Sequence, residues 1–214
     1  MPKLSRGWIV ALIIFLILLA DQALKFWIKT HLVLHDSIRI TDWFYLFFTE
    51  NNGMAFGIEL FDKLFLTLFR IAAVTGLFWY VSRIISKPGT RTGYLVCISL
   101  IIAGAMGNII DCLFYGLLFD HSFGQLATFL PASGGYGTFF YGKVVDMLYF
   151  PLIDTHWPSW MPFVGGDPFV FFRPIFNIAD SSISVGIVIL LLFYRKDLSE
   201  VSTSKVLPEV PENP

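Results

Sequence analysis

The chain of 214 residues is 56% hydrophobic and only 14% charged, a balance that excludes an ordinary soluble domain and turns attention to membrane spans. Its 15 Lys and Arg against 16 Asp and Glu give a net charge of -1, which argues against a polyanion-binding surface, so no nucleic-acid partner is expected. Two cysteines about four turns apart on one predicted helix and scattered histidines offer neither a disulfide framework nor metal-ligand spacing, so no metal and no cofactor are expected.

A bilayer core of about 30 Å takes about 20 apolar helical residues. Four segments approach that length: 8–28, 64–81, 94–110 and 178–194. The start could be read as a cleaved signal peptide ending at Ala20, but the apolar pattern runs past Asp21 to Ile28, and Leu18 fits a small-residue cleavage rule poorly. Within this first span Asp21 and Lys25 are four apart, on one helix face, and able to pair. The following loop carries Ser37–Thr49, rich in Ile, Trp, Phe and Tyr, which predicts strands, and then the turn signal Asn51-Asn52-Gly53.

The second span holds Arg70 in its outer half. Arg83, Lys87 and Arg91 fill the short loop after it, and the third span ends on Asn108 and Asp111. The long second loop, to residue 177, contains a run at 133–137 (Ser-Gly-Gly-Tyr-Gly) expected to be flexible. Its later run from Trp157 to Pro162 suits either a headgroup-level anchor or packing on its own domain. The fourth span opens on Asn177 and Asp180, and from Asp197 the tail turns polar and Pro-containing, as disordered segments do. The expected architecture is an all-α membrane protein, one domain over 1–196 with a tail at 197–214. It has four transmembrane helices, a small extracytoplasmic β-element and a long second outer loop.

Cytoplasmic loops near span ends retain Lys and Arg. Lys3 and Arg6, the 83–91 loop, and Arg195, Lys196 and Lys205 therefore put both termini in the cytoplasm and both long loops outside. That topology places Asp21, Lys25, Arg70, Asn108, Asp111, Asn177 and Asp180 at one membrane level, beside the outer-loop residues Asn51 and Asp146. Polar groups inside spans are costly, and they usually face a protein interior or a water-filled cavity. Singly each has the ordinary reading of a helix cap or an interfacial anchor; the convergence is the signal. Asp146 and Asp180 form the attractive pair. Two carboxylates in a partly desolvated pocket resist simultaneous ionisation, so one can act as general base on water while the other, protonated, polarises a scissile carbonyl. Bringing the two together is left to the fold. The alternative is a small ion or proton transporter using intramembrane carboxylates, which would spread polar residues across the bilayer; here the inner halves of the spans are nearly bare of charge.

Five blocks in order give the chain its resemblance to a known family. Asp21-Gln22-Ala23-Leu24-Lys25 is similar to D-x-x-x-K, Asn51-Asn52-Gly53-Met54-Ala55-Phe56 to N-x-G-x-A-F, and Gly104-Ala105-Met106-Gly107-Asn108-Ile109-Ile110-Asp111 to G-A-x-G-N-x-x-D. Val144-Val145-Asp146 is similar to V-V-D, and Phe176-Asn177-Ile178-Ala179-Asp180 to F-N-x-A-D. Over nearly all its length the chain resembles the lipoprotein signal peptidases, also called signal peptidase II. The resemblance implies a cofactor-free aspartic peptidase with Asp146 and Asp180 as the catalytic dyad. It also implies that Asp21, Lys25, Asn51, Gly53, Gly104, Asn108, Asp111, Asn177 and Ala179 bind substrate or shape the site. Implied too are diacylglyceryl-modified prolipoprotein substrates, cut on the amino side of the lipid-bearing cysteine, and a monomer among lipids of a bacterial inner membrane with its site toward the periplasm. Two departures stand out. Cys112 occupies the position of the family's usual Arg, leaving Arg70, Arg173 or Lys143 to supply the charge, and the intervals flanking Asp146 are longer than the family's.

Overall fold

The computed structural model describes residues 5–52 and 63–198; Gly53 and the expected disordered tail from residue 199 onward lie outside the described residues. Among the described residues three helices are long and apolar enough to cross a membrane: α1 (Arg6–His31), α2 (Lys63–Ile84) and α3 (Thr92–Ile110), the last continuing through a π-helical turn (Asp111–Tyr115) and a short α4 (Gly116–Leu118). The apolar α5 (Ile178–Phe193) has 16 residues, about 24 Å at 1.5 Å per residue, which is short of a bilayer core. It begins where Asn177 accepts the N–H of Asp180 as an N-cap. The four expected spans thus correspond to four helices, three of them of spanning length.

Helix α3 is the centre, packed against α1, α2 and α5. Gly104 lets α3 and α5 meet: a Cβ there would lie 2.2 Å from the backbone carbonyl oxygen of Ala179. Val10, Ile14, Val74, Val81, Ile98, Ile102 and Leu190 form the interhelical core. Outward faces of α1, α2 and α5 keep large apolar side chains such as Phe15, Phe69 and Leu192 exposed, as a lipid-facing surface does. The Arg6 guanidinium donates to the carbonyls of Ile85 and Lys87, and Arg91 pairs with Asp197. The start of α1, the α2–α3 turn and the segment just after α5 therefore gather at one end.

At the other end stands more β-structure than an all-α reading allows, and the sequence expectation is corrected there. Strands β1 (Ser37–Thr41), β2 (Phe44–Asn51), β3 (Val144–Tyr149) and β6 (Ile175–Phe176) make an antiparallel sheet in the order β1-β2-β3-β6, and β4 (Ile153–His156) pairs with β5 (Pro168–Phe171) as a separate hairpin. The first two strands match the predicted stretch. The third was invisible because its first four residues are all buried, which removes the alternation that marks a half-exposed strand. A second core of Ile28, Phe48, Phe119, Val145 and Met147 joins this sheet to the C-terminal end of α1.

Both long intervals flanking Asp146 are ordered. The 133–137 run, expected to be flexible, packs on α4 instead: a Cβ at Gly135 would lie 2.1 Å from the carbonyl oxygen of Gly116, so only glycine permits the approach. The second interval is the β4–β5 hairpin. At the loop end of its strands the Trp157 and Phe169 rings meet at 4.5 Å in a tilted contact, while Trp160 within the loop is 78% exposed, so the Trp157–Pro162 run divides between packing on its own domain and an outward-facing aromatic.

Candidate active site

Helix α1 turns one face inward, and on it lie Asp21, Lys25 and Lys29, spaced by four, all buried. Lys25 is fully buried, and its ammonium has three acceptors for three N–H groups: Asp21 Oδ2 at 2.9 Å, Asp111 Oδ2 at 2.8 Å and Asn108 Oδ1 at 3.0 Å. Such matching is what makes a buried charge tolerable. The excess negative charge of two carboxylates is met by further donors. Ala179 N donates to Asp21 Oδ1 at 2.9 Å, Gln22 to Asp111 Oδ1 at 2.9 Å, and Val145 N to Asp111 Oδ2 at 3.2 Å. One hydrogen-bonded knot therefore ties α1, α3, β3 and α5 together, and it sits where α3 passes into a π-helical turn, a feature frequent at functional sites.

Lys25 also orients the next shell. An ammonium can only donate, so the Asn108 atom facing it is the carbonyl oxygen, and the amide nitrogen must point the other way, to Asp180 Oδ1 at 2.7 Å. The same logic fixes Asn177. Its Oδ1 accepts the backbone N–H of Asp180 at 2.8 Å, which turns its amide toward Asp146 Oδ1 at 2.8 Å and Asn108 Oδ1 at 3.1 Å. Asp146 and Asp180 are more than 30 residues apart in the chain, yet each accepts from one of two asparagine amides that are bonded to each other. In the β2–β3 register Thr49 faces Asp146, so Asn51, two residues on, projects from the same face of the sheet and hydrogen-bonds to the Asp146 carboxyl.

Asp146 is 3% exposed. Burial foremost, and then the negative charge of Asp180, push its carboxyl up to about 7, against the opposing pull of Lys25 and the Asn51 hydrogen bond. Such a group is protonated or ionised with nearly equal ease at neutral pH, the condition that favours acid–base chemistry. Asp180 is half-buried in the first turn of α5. The pair has one dry member and one wetter member.

Of the residues singled out in the sequence, Asp21, Lys25, Asn51, Asn108, Asp111, Asp146, Asn177 and Asp180 belong to this network. Gly104 and Ala179 form the close helix contact behind it, and Gly53 lies outside the described residues. Of the three cations considered for the charge missing at Cys112, Lys143 bonds to Glu50, and Arg173 is exposed against the Pro168 carbonyl. Arg70 brings its guanidinium to 3.8 Å from Cys112 Sγ. Sequence reasoning missed Gln22, which bridges Asp21, Asp111 and the Tyr115 hydroxyl, and it missed Lys29 and Glu50. The signal for Lys29 was present: it repeats the four-residue spacing of Asp21 and Lys25 on an apolar helix.

Residues 13–195 match the family described as signal peptidase (SPase) II. The chain is 50% identical over 210 residues to a lipoprotein signal peptidase of Porphyromonas gingivalis, covering 98% of this chain and 93% of that one. It is 34% identical over 194 residues to a lipoprotein signal peptidase of Amoebophilus asiaticus, covering 88% and 78%. A bacterial membrane enzyme solved by the in meso method superposes with a TM-score of 0.61 at 25% identity, covering 92% of this chain and 99% of that one.

Proposed function

Since the chain belongs to the signal peptidase II family, we propose that Asp146 and Asp180 are the two carboxylates through which it cleaves its substrate. The chain is a lipoprotein signal peptidase, an aspartic-type peptidase. The observation that carries the residue assignment is the bonded Asn108–Asn177 pair, which presents one amide to each carboxylate. Each of those amides anchors its carboxylate through Oδ1, and the pair shares one proton beside the attacking water. Asp146, the drier member, keeps the proton and hydrogen-bonds to the scissile carbonyl oxygen. Asp180 takes a proton from water as its oxygen attacks the carbonyl carbon, and Asp146 gives its own proton to the carbonyl oxygen to form a gem-diol; Asp180 then passes its proton to the departing amine as the C–N bond breaks, while Asp146 recovers one from the collapsing diol.

The substrate class follows from the family: a prolipoprotein whose cysteine bears diacylglycerol, cut on the amino side of that cysteine. A site at the outer ends of the helices suits it, because acyl chains can stay in lipid while the peptide bond meets water. The clustering of Arg6, Arg83, Lys87 and Arg91 at the far end supports an inner-membrane protein with both termini cytoplasmic and the site toward the periplasm. The exposed apolar face of α5 supports its serving as a fourth span, and the single-chain network supports a monomer.

Cleavage of a purified diacylglyceryl-modified prolipoprotein in detergent, with a metal chelator present, tests the reading. Cutting before the modified cysteine is expected, and a folded protein that leaves this substrate intact would refute it. The pH profile is a second expectation. The working form holds one proton on the pair, and raising the pH through about 7 strips it from Asp146. The rate kcat/KM should therefore fall on the alkaline side with a midpoint near that value. A profile flat from pH 6 to pH 9 would contradict it.

Arg70, its guanidinium beside Cys112, supplies in this reading the positive charge that the family carries on an Arg at the Cys112 position. Charge-assisted hydrogen bonds contribute about 1.5–3 kcal/mol. Arg70→Leu should thus lower kcat/KM by about 10-fold or more, and adding Cys112→Arg should restore much of it. Failure of the double variant to recover activity would remove Arg70 from that role.

A further inference from the structure

A second buried charge cluster lies one helical turn outward from Lys25. Lys29 is fully buried, and its ammonium donates to Glu50 Oε1 at 2.6 Å and to Ser122 Oγ at 2.9 Å; Ser122 donates to the same Glu50 oxygen at 3.1 Å. Lys143, half-exposed, closes the other side by reaching Glu50 Oε2 at 3.1 Å. The rings of Phe48, Phe119 and Tyr136 stand 5.1–5.8 Å from the Lys29 nitrogen, within range of cation–π attraction. Burial alone would raise the Glu50 carboxyl, but the two ammonium groups outweigh it and hold the carboxyl below the usual carboxylate range. None of these groups touches the reacting pair.

Their place in the chain gives them a purpose. Glu50 precedes Asn51 in β2 and pairs across the ladder with Val145, the residue before Asp146. Successive residues of a strand face opposite ways, so Asn51 and Asp146 share the site face, while Glu50 and Val145 face the outer core. Lys25, on α1, holds Asn108 and through it Asp180. Lys29, four residues on along the same helix, holds the strand pair that carries Asn51 and Asp146. Each carboxylate is therefore referred to the same rigid helix through its own lysine. Resting on the dyad reading above, we infer that Lys29 and Glu50 are positioning residues: their buried ion pair sets the height of β2 and β3 on α1, and so the approach of Asp146 to Asp180.

The test is the pair of variants Glu50→Gln and Lys29→Met/Glu50→Gln, each compared with wild type for thermal unfolding in detergent and for kcat and KM on the diacylglyceryl-modified prolipoprotein. Removing both charges leaves no unpaired buried ion, so the double variant should fold with a near-native unfolding midpoint. Misplacement by about 1 Å can cost about 100-fold in rate; the expected result is a kcat lowered by about 10- to 100-fold with KM unchanged. A folded double variant with wild-type kcat would overturn the inference. So would failure of both variants to fold, because the pair would then be structural only. Lys143→Met, which leaves the buried pair in place, should change kcat by no more than about fivefold, the scale of an exposed ion pair; a loss as large as the double variant's would also overturn it. Asp146→Asn, measured alongside, separates the two readings, since its retention of activity would sink the dyad and not the effect of the Lys29–Glu50 pair on rate.

Discussion

Replacing either Asp146 or Asp180 by Asn is expected to reduce kcat by about 1,000-fold or more, on the scale at which a positioned acid or base contributes, while the protein stays folded. The substitution is a clean one for this site. An asparagine Oδ1 can still accept the Asn177 amide that now reaches Asp146, or the Asn108 amide that reaches Asp180, so the network keeps its shape. What is lost is the ability to hold and release a proton, and a single proton shuttled between two carboxylates cannot be replaced by one carboxylate and one amide. The two variants should therefore be about equally inactive, and combining them should add little, because groups that act as a unit are strongly non-additive. The measurement is single-turnover cleavage of the diacylglyceryl-modified prolipoprotein, with unfolding monitored in the same detergent. Cleavage within tenfold of wild type by either folded variant would rule out the dyad.

Lys25→Met should damage stability and rate together. Asp21 and Asp111 are each 1% exposed or less and share this one ammonium. Without it two carboxylates face each other with no cation. Breaking a buried pair by removing one partner costs about 3–5 kcal/mol, which thermal unfolding would register as a clear fall in midpoint. The effect on rate has a different origin. Lys25 and the Asn177 amide together oblige Asn108 to present its carbonyl inward and its amide to Asp180, and Lys25 is the charged one of the two, so its loss loosens the hold on that amide. Adding Asp111→Asn to Lys25→Met should accordingly recover part of the stability, by removing one uncompensated charge, and little of the rate. If the double variant recovered both, Asn108 orientation would not be what Lys25 provides.

The helices were legible because a bilayer demands long apolar runs, and their ends fell within a few residues of expectation at Arg6–His31, Lys63–Ile84, Thr92–Ile110 and Ile178–Phe193. The candidate site was legible for a related reason: a charge in an apolar segment is expensive, so Asp21, Lys25, Asp111 and Asp180 stood out against their surroundings. Gln22 and Ser122 did not, since uncharged polar residues are unremarkable in sequence, and Glu50 was hidden within an ordinary-looking strand.

Composition and pattern thus determined that the chain enters a membrane, which residues break its apolar runs, and at which level they lie. Those are one-dimensional consequences of the free energy of moving each side chain out of water. Only the tertiary structure decided that Asp146, on a buried strand, meets Asp180, on a helix, through Asn108 and Asn177. It alone turned the second loop into two strands of the site sheet and a hairpin, and set two lysines of one helix into buried ion pairs, Lys25 with Asp21 and Asp111 and Lys29 with Glu50. Contacts between residues so distant in the chain depend on backbone pairing, close packing at Gly104 and the directions of individual amides, and none of these is written in the order of apolar and polar residues.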